Sequence, residues 1–282
     1  MLVHTINTGF FKLDGGAMFG VVPKTIWQHL NPPDADNLCT WAMRCLLIET
    51  DGKRILIDTG LGNKQTDKFF SYYQPHGTDT LTDSLRQLGL TPNDITDVLL
   101  THLHFDHVGG AVTKNAAGEL VPAFPNATYW SNQPHWQWAT YPNEREKASF
   151  LKENFVPLLE QNRIQWLTDG AYLCPGVYVR FVYGHTEAMM IPHIELPNGK
   201  TLVYMADLIA SSAHVRIPYV MAYDVRPLQT LVEKKDFLYK AATHNHFLFF
   251  EHDPRHACAT VRLTDRGNVE VAELLTLQDA GA

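Results

Sequence analysis

Short apolar, β-branched runs recur along the chain at residues 44–49, 54–58, 97–101, 128–130, 177–183, 193–196, 202–206 and 247–250, with a closing pair near 260–263 and 269–274. Runs of this length and composition predict strands. Asp51-Gly52-Lys53 and Pro197-Asn198-Gly199-Lys200 fall between neighbouring runs and predict hairpin turns. Helical periodicity interleaves over residues 80–88, ending at Gly89, over a long stretch from about 144 to 160, and over 228–242. Strands paired by tight turns, with a few helices between them, predict an α/β architecture: an αββα sandwich of two mixed β-sheets with helices on the outer faces. No internal repeat, low-complexity tract or Gly/Ser linker divides the chain, so residues 1–282 are expected to form one domain. Residues 1–43 read differently. Gly15-Gly16-Ala17-Met18-Phe19-Gly20 and Asn31-Pro32-Pro33-Asp34 flank Trp27, which predicts a loop-rich segment near a pocket mouth or a subunit interface, with a homodimer as one outcome.

Composition narrows the classes. With 45% hydrophobic and 19% charged residues the chain is globular in type and large enough for an ordinary core. It has no run of 18 apolar residues and no basic N-terminal region followed by an apolar stretch, so neither a membrane partner nor a secretory signal is expected and a cytoplasmic location is the default. Cys39, Cys45, Cys174 and Cys258 are scattered without a CxxC pair and read as small buried hydrophobes. A net charge of -7 without a Lys/Arg run argues against nucleic acid as a partner.

The chemistry is concentrated at residues 101–110, Thr-His-Leu-His-Phe-Asp-His-Val-Gly-Gly, directly after the apolar Val98-Leu99-Leu100. His102, His104, Asp106 and His107 bring three imidazoles and a carboxylate into six positions, a donor set suited to zinc, iron or manganese. His102 and His104, two residues apart, can point at one metal while Asp106 and His107 turn toward a second. Two metals need more ligands, and later strand ends supply them. The run at 177–183 ends in Gly184-His185-Thr186, the run at 202–206 in Asp207, and the run at 247–250 in Glu251-His252-Asp253.

In that order, His-x-His-x-Asp-His, Gly-His-Thr, a strand-end Asp and a late His, the chain resembles the metallo-β-lactamase superfamily over nearly its whole length. The resemblance implies that His102, His104 and His185 hold a first metal, that Asp106, His107 and His252 hold a second, and that Asp207 bridges them. Leu56-Ile57-Asp58-Thr59-Gly60 also matches a superfamily motif, whose Asp orients a ligand imidazole. Asp14-Gly15-Gly16-Ala17-Met18-Phe19-Gly20 and Ala222-Tyr223-Asp224 are similar to hydrolases related to N-acyl-homoserine lactonases. In lactonases of this type a tyrosine three residues after the bridging Asp contacts the lactone carbonyl; here Ala210 stands in that place, and Tyr223 or His214 is the candidate to reach the same space.

The resemblance implies a hydrolase with two divalent metal ions, most readily zinc, with iron or manganese as alternatives, whose shared hydroxide attacks the carbonyl of a small-molecule ester or lactone. Asp106 would ligate the second metal and handle the proton of the departing alkoxide. Met18, Phe19, Trp27, Trp136, Trp138 and Tyr141 are candidates to line the acyl pocket. The alternatives are a thioesterase resembling glyoxalase II, which would draw on Arg255, Arg262 or Arg266; a phosphotriesterase; and a mononuclear-iron persulfide dioxygenase, in which Asp106, His107 and His252 would not be ligands.

Overall fold

The computed structural model describes residues 1–281 and contains two large sheets and a small two-stranded one, Val112–Lys114 with Leu120–Pro122. From edge to edge, the six-stranded sheet runs Leu2–Asp14, Leu38–Thr50, Lys53–Ile57, Asp97–Leu99, Thr128–Ser131 and Ile164–Trp166. The seven-stranded sheet runs Val269–Leu275, Cys258–Leu263, Phe247–Phe249, Thr201–Tyr204, Met189–Glu195, Val177–Val182 and Tyr172–Cys174. Both mix parallel and antiparallel pairs, as expected of the sandwich. Side-chain alternation sets the layers. Leu46, Ile48, Ile55 and Ile57 point into the core shared with Val177, Val179, Leu202 and Phe247 of the other sheet, whereas Cys45, Leu47 and Leu56 point outward onto Leu85, Trp136 and Leu158. The long helix Pro227–His244 inserts Leu238 and Ala241 against the second sheet. All four cysteines are buried thiols. Among the described residues, no helix is long and apolar enough to cross a membrane.

Three expectations need correction. Residues 1–43 are not loop-rich throughout. Leu2–Asp14 is a thirteen-residue edge strand paired with Leu38–Thr50, and only the segment between them, with helices Gly15–Phe19 and Lys24–Trp27, is irregular. The strand escapes pattern reading because Val3 packs into the sandwich core while Ile6 packs on the outer cluster, and the register shifts between Asn7 and Phe10. With both faces covered, little alternation remains to be read. The stretch 144–160 is not one helix but a turn, a 3-10 turn at Lys152–Asn154 and the short helix Val156–Glu160. Its backbone is engaged elsewhere: Asn143 Oδ1 accepts from Arg145 N and Glu146 N, and Ser149 O accepts from Phe105 N at 3.0 Å. The strand expected at 193–196 begins earlier, at Met189, because Pro192 interrupts the β-forming composition without interrupting the pairing.

Candidate metal centre

Strand direction gathers the site. Lys53–Ile57 is parallel to Asp97–Leu99, and Thr201–Tyr204 to Phe247–Phe249, so the C-terminal ends of each pair lie on a common edge. Asp58, His102, Asp207 and His252 follow those ends directly or within a few residues. The two sheet edges are pinned to each other by buried Arg44, whose guanidinium donates to Phe250 O at 2.9 Å and Asp253 O at 3.0 Å while its own carbonyl accepts from the Tyr204 hydroxyl at 3.0 Å. Asp58 and Ala206 are held at φ 58° and 41°, left-handed positions that cost a non-glycine residue on the order of 1 kcal/mol, and these bends turn Asp58 and Asp207 into the site. After the cluster, Gly109 and Gly110 pass so close to the Thr59–Leu61 backbone that a Cβ would meet Leu61 O at 1.9 Å or Thr59 O at 2.3 Å.

The seven expected ligand residues come together in two groups. The donor atoms of His102, His104, His185 and Asp207 all lie within 4.8 Å of one another, as do those of Asp106, His107 and His252. In the first group His104 Nδ1 is 3.0 Å from His102 Nε2 and 3.2 Å from His185 Nε2. In the second, His107 Nε2 and His252 Nε2 are 3.2 Å apart, with Asp106 Oδ2 at 3.7 Å from His252 Nε2. Asp207 spans both: Oδ2 is 3.0 Å from His185 Nε2 and 3.4 Å from His107 Nε2, and Oδ1 is 3.2 Å from His252 Nε2. All seven are buried.

Outer partners decide which ring nitrogens carry hydrogen. A nitrogen facing a carboxylate or carbonyl must donate, which in the neutral ring leaves the opposite nitrogen as a lone pair. His107 Nδ1 faces Asp58 Oδ2 at 3.0 Å and Glu251 Oε2 at 2.9 Å, His185 Nδ1 faces Asp224 Oδ1 at 2.8 Å, and His252 Nδ1 faces Ala42 O at 2.8 Å. His102 Nδ1 meets the Thr101 hydroxyl at 3.2 Å, which itself donates to Asp58 at 2.7 Å. Lone pairs therefore point inward at one another, and Asp207 Oδ1 is buried without a hydrogen-bond partner. Such an arrangement is repulsive among side chains alone and is relieved by cations, so the donor set fits divalent metal. Electrostatics agree. Burial pushes the His185 and His252 rings down, but Asp207, with Asp224 beside His185 and Glu251 beside His252, outweighs it and lifts them to about 10 and about 9. His102 is pushed well down by burial and by the three neighbouring imidazoles. The site attracts positive charge, for which protons and metal ions compete.

A cavity of about 340 Å³ opens onto both groups. Its walls include Leu13, Ala17, Met18, Tyr73, Phe105, Met221 and Tyr223. Of the residues expected to line an acyl pocket only Met18 does so. Phe19 and Trp27 stack on each other in the core, Trp136 is buried against Phe155, Trp138 donates to Glu146, and Tyr141 is exposed. Tyr223 reaches the cavity beside Asp106 and Asp207, and burial, then the neighbouring Tyr73 and carboxylate charges, keep its phenol protonated far above the usual range. His214 is a correction. It stacks on Phe19 and both nitrogens are engaged, with the Ser211 hydroxyl at 2.7 Å and Met18 O at 2.9 Å, so the ring braces the cavity wall from behind instead of facing substrate. Ala210 is buried, and its carbonyl accepts from His252 N. Glu146, Asp224 and Glu251 carry roles that sequence reading missed. Glu251 had a visible signal, its position between an apolar strand end and His252, and Asp224 stood in the Ala222-Tyr223-Asp224 motif without a role of its own; Glu146 had none.

Proteins of known sequence and structure share this fold. An N-acyl homoserine lactonase from Bacillus thuringiensis is 24% identical over 237 residues, covering 79% of this chain and 85% of its own. A probable metal-dependent hydrolase from Staphylococcus aureus superposes with a TM-score of 0.85 at 30% identity, covering 98% of both chains. AidC, a dizinc quorum-quenching lactonase solved with a product bound, superposes at 0.79 and 22% identity, covering 98% of this chain and 95% of its own. The sequence profile of the metallo-beta-lactamase superfamily matches residues 44–252, a span that includes all seven residues of the two donor groups, and the chain belongs to that superfamily of metal-dependent hydrolases.

Proposed function

We propose that the protein is a dinuclear metal-dependent hydrolase of a small-molecule ester, most specifically a lactone of the quorum-quenching type. The observation that carries this reading is Asp207, whose two oxygens reach both donor groups and so suit a carboxylate shared between two ions. When bound, two divalent ions would supply hydroxide at neutral pH and polarise a carbonyl, so the site would need no serine or cysteine nucleophile. The chain's own residues do the rest. Asp106, at the cavity wall, accepts the proton released on attack and returns it to the departing alkoxide. The protonated Tyr223 phenol donates to the substrate carbonyl oxygen, the place Ala210 leaves unfilled. Met18, Leu13 and Met221 give the acyl group an apolar wall, and thioether side chains adapt to its length.

Two rival readings, the glutathione thioesterase and the mononuclear-iron dioxygenase, fit less well. Of Arg255, Arg262 and Arg266, the first lines a different cavity and the second pairs with Glu270, which leaves at most Arg266 for a glutathione thioester. A mononuclear site would leave the convergence of Asp106, His107 and His252 without a purpose. The test is metal analysis of the purified protein beside a pH-stat assay on homoserine lactones of short and long acyl chain, aryl esters and a phosphotriester. Two ions with lactone turnover are expected; two ions with turnover of another substrate only would overturn the lactonase assignment, and one iron per chain without hydrolysis would overturn the whole reading.

A further inference from the structure

His104 and His185 present a problem that Asp58 does not solve. Asp58 orients His107 directly and His102 through Thr101, but it does not reach the other two rings of the first group. Each of those rings meets a buried carboxylate from a separate loop. Asp224 Oδ1 accepts from His185 Nδ1 at 2.8 Å. Glu146 Oε1 lies 3.6 Å from His104 Nε2, a buried ring nitrogen that has no hydrogen-bond partner.

Glu146 is itself firmly placed. Its carboxylate accepts from the Thr186 hydroxyl at 2.6 Å, Trp138 Nε1 at 2.7 Å and Asn143 Nδ2 at 2.6 Å, and Thr186 directly follows His185. Asp224 is secured through the backbone next to it, where Val225 N donates to His185 O and Arg226 N to Gly184 O. The two loops are joined by Arg145, whose guanidinium donates to Ala222 O and, at 3.5 Å, to Asp224 O. Both loops also line the cavity, through Arg145, Glu146, Ala222 and Tyr223.

We propose that Glu146 and Asp224 are the positioning residues of the first metal pocket, holding His104 and His185 from opposite loops, and that Arg145 ties those loops so that one metal is bound only when the cavity mouth is assembled. This rests on the dinuclear reading above. Its reach is the coupling of metal retention to the mouth that admits substrate.

The experiment is titration of the metal-free full chain with Co²⁺ against a competing chelator, following the visible absorption of each bound ion. Wild type is expected to take two ions. Glu146→Gln and Asp224→Asn are each expected to weaken one ion by roughly 10- to 100-fold and to alter its spectrum, leaving the other at wild-type affinity. The unaffected ion reports that the variant has folded. Asp224→Glu, which keeps an acceptor, should recover most of the loss, and Arg145→Ala should weaken the same ion to a smaller degree. If Asp224→Asn does not fold, Glu146→Gln and Arg145→Ala decide the matter. Two ions bound with wild-type affinity and spectrum in those variants, or equal weakening of both ions, would overturn the proposal. Fewer than two ions on wild type would instead overturn the dinuclear reading.

Discussion

The two donor groups use the same chemistry but rest on different parts of the molecule. His107 and His252 are oriented by Asp58, Glu251 and the Ala42 carbonyl, all on strands or at the strand ends of the sandwich. His104 and His185 are oriented by Glu146 and Asp224, which belong to irregular segments at the cavity mouth. Strand-end partners are fixed by sheet pairing and a close-packed core, whereas loop partners depend on side-chain hydrogen bonds that form and break locally. The difference teaches that a symmetric-looking metal centre need not be equally stable on both sides. One side is part of the core, and the other shares His102 with the core and rests His104 and His185 on the entrance.

The largest effect comes from removing the group that both sides share. Asp207→Ala should abolish the distinction by disabling both pockets: if metal polarisation contributes about 4 kcal/mol to the transition state, hydrolysis falls roughly a thousandfold, and metal analysis should show stoichiometry falling with it. Retained turnover in Asp207→Ala would refute the shared-carboxylate geometry. Asp58→Asn tests the core side. It removes charge from the acceptor of His107 and of Thr101, which in turn meets His102, so the ion of the His107 group should weaken by roughly 10- to 100-fold and that of the His102 group less, and urea denaturation should also register the change, because Asp58 is fully buried. If only metal affinity changed and stability did not, the strand-end partners would be no more structural than the loop ones.

A smaller effect is expected at the mouth. Tyr223→Phe keeps the ring and removes one hydrogen bond, so kcat/KM should drop about tenfold with metal content unchanged. Steady-state kinetics with a parallel metal assay will separate that outcome from a loss of ions. The last effect, read on stability instead of turnover, concerns pH and the entrance side again. His135 accepts from Leu103 N, between His102 and His104, at 2.8 Å and holds Glu187 O through its other nitrogen, and burial pushes its ring down to about 3 from an ordinary 6.5. Between those values the unfolded chain binds a proton that the fold excludes. Stability from this group is therefore complete above pH 6.5 and declines as pH falls toward 3, by at most about 1.4 kcal/mol per pH unit. Urea melts of the metal-free protein across that range should show the decline, and His135→Gln, which can both accept and donate in the same place, should flatten part of it.

Legibility followed chemistry more than it followed elements. Ligand residues sit where apolar runs stop, and the end of a run is visible in one dimension, so His102, His185, Asp207 and His252 could be found from strand boundaries. Asp58 was legible for the same reason. Leu2–Asp14 was not, because a strand covered on both faces and carrying a register shift has little alternation to read. Glu146 was hidden in a segment whose periodicity imitates a helix, and its role depends on Trp138, Asn143 and Thr186 closing around it. His214 misled in the opposite direction: its nearness in sequence to Asp207 suggested the cavity, but stacking on Phe19 turned the ring into the wall.

What the sequence indicated by itself was the sandwich class and, through the resemblance, seven candidate donors and their division into two groups, because strand periodicity and ligand type are properties of short segments. Only the tertiary structure decided which nitrogens face inward and which carboxylates hold them there. Those relations join residues up to 210 positions apart, as between His252 and Ala42, and depend on sheet order, loop path and burial. No local pattern encodes a distance between two side chains that meet only when the sheets have packed.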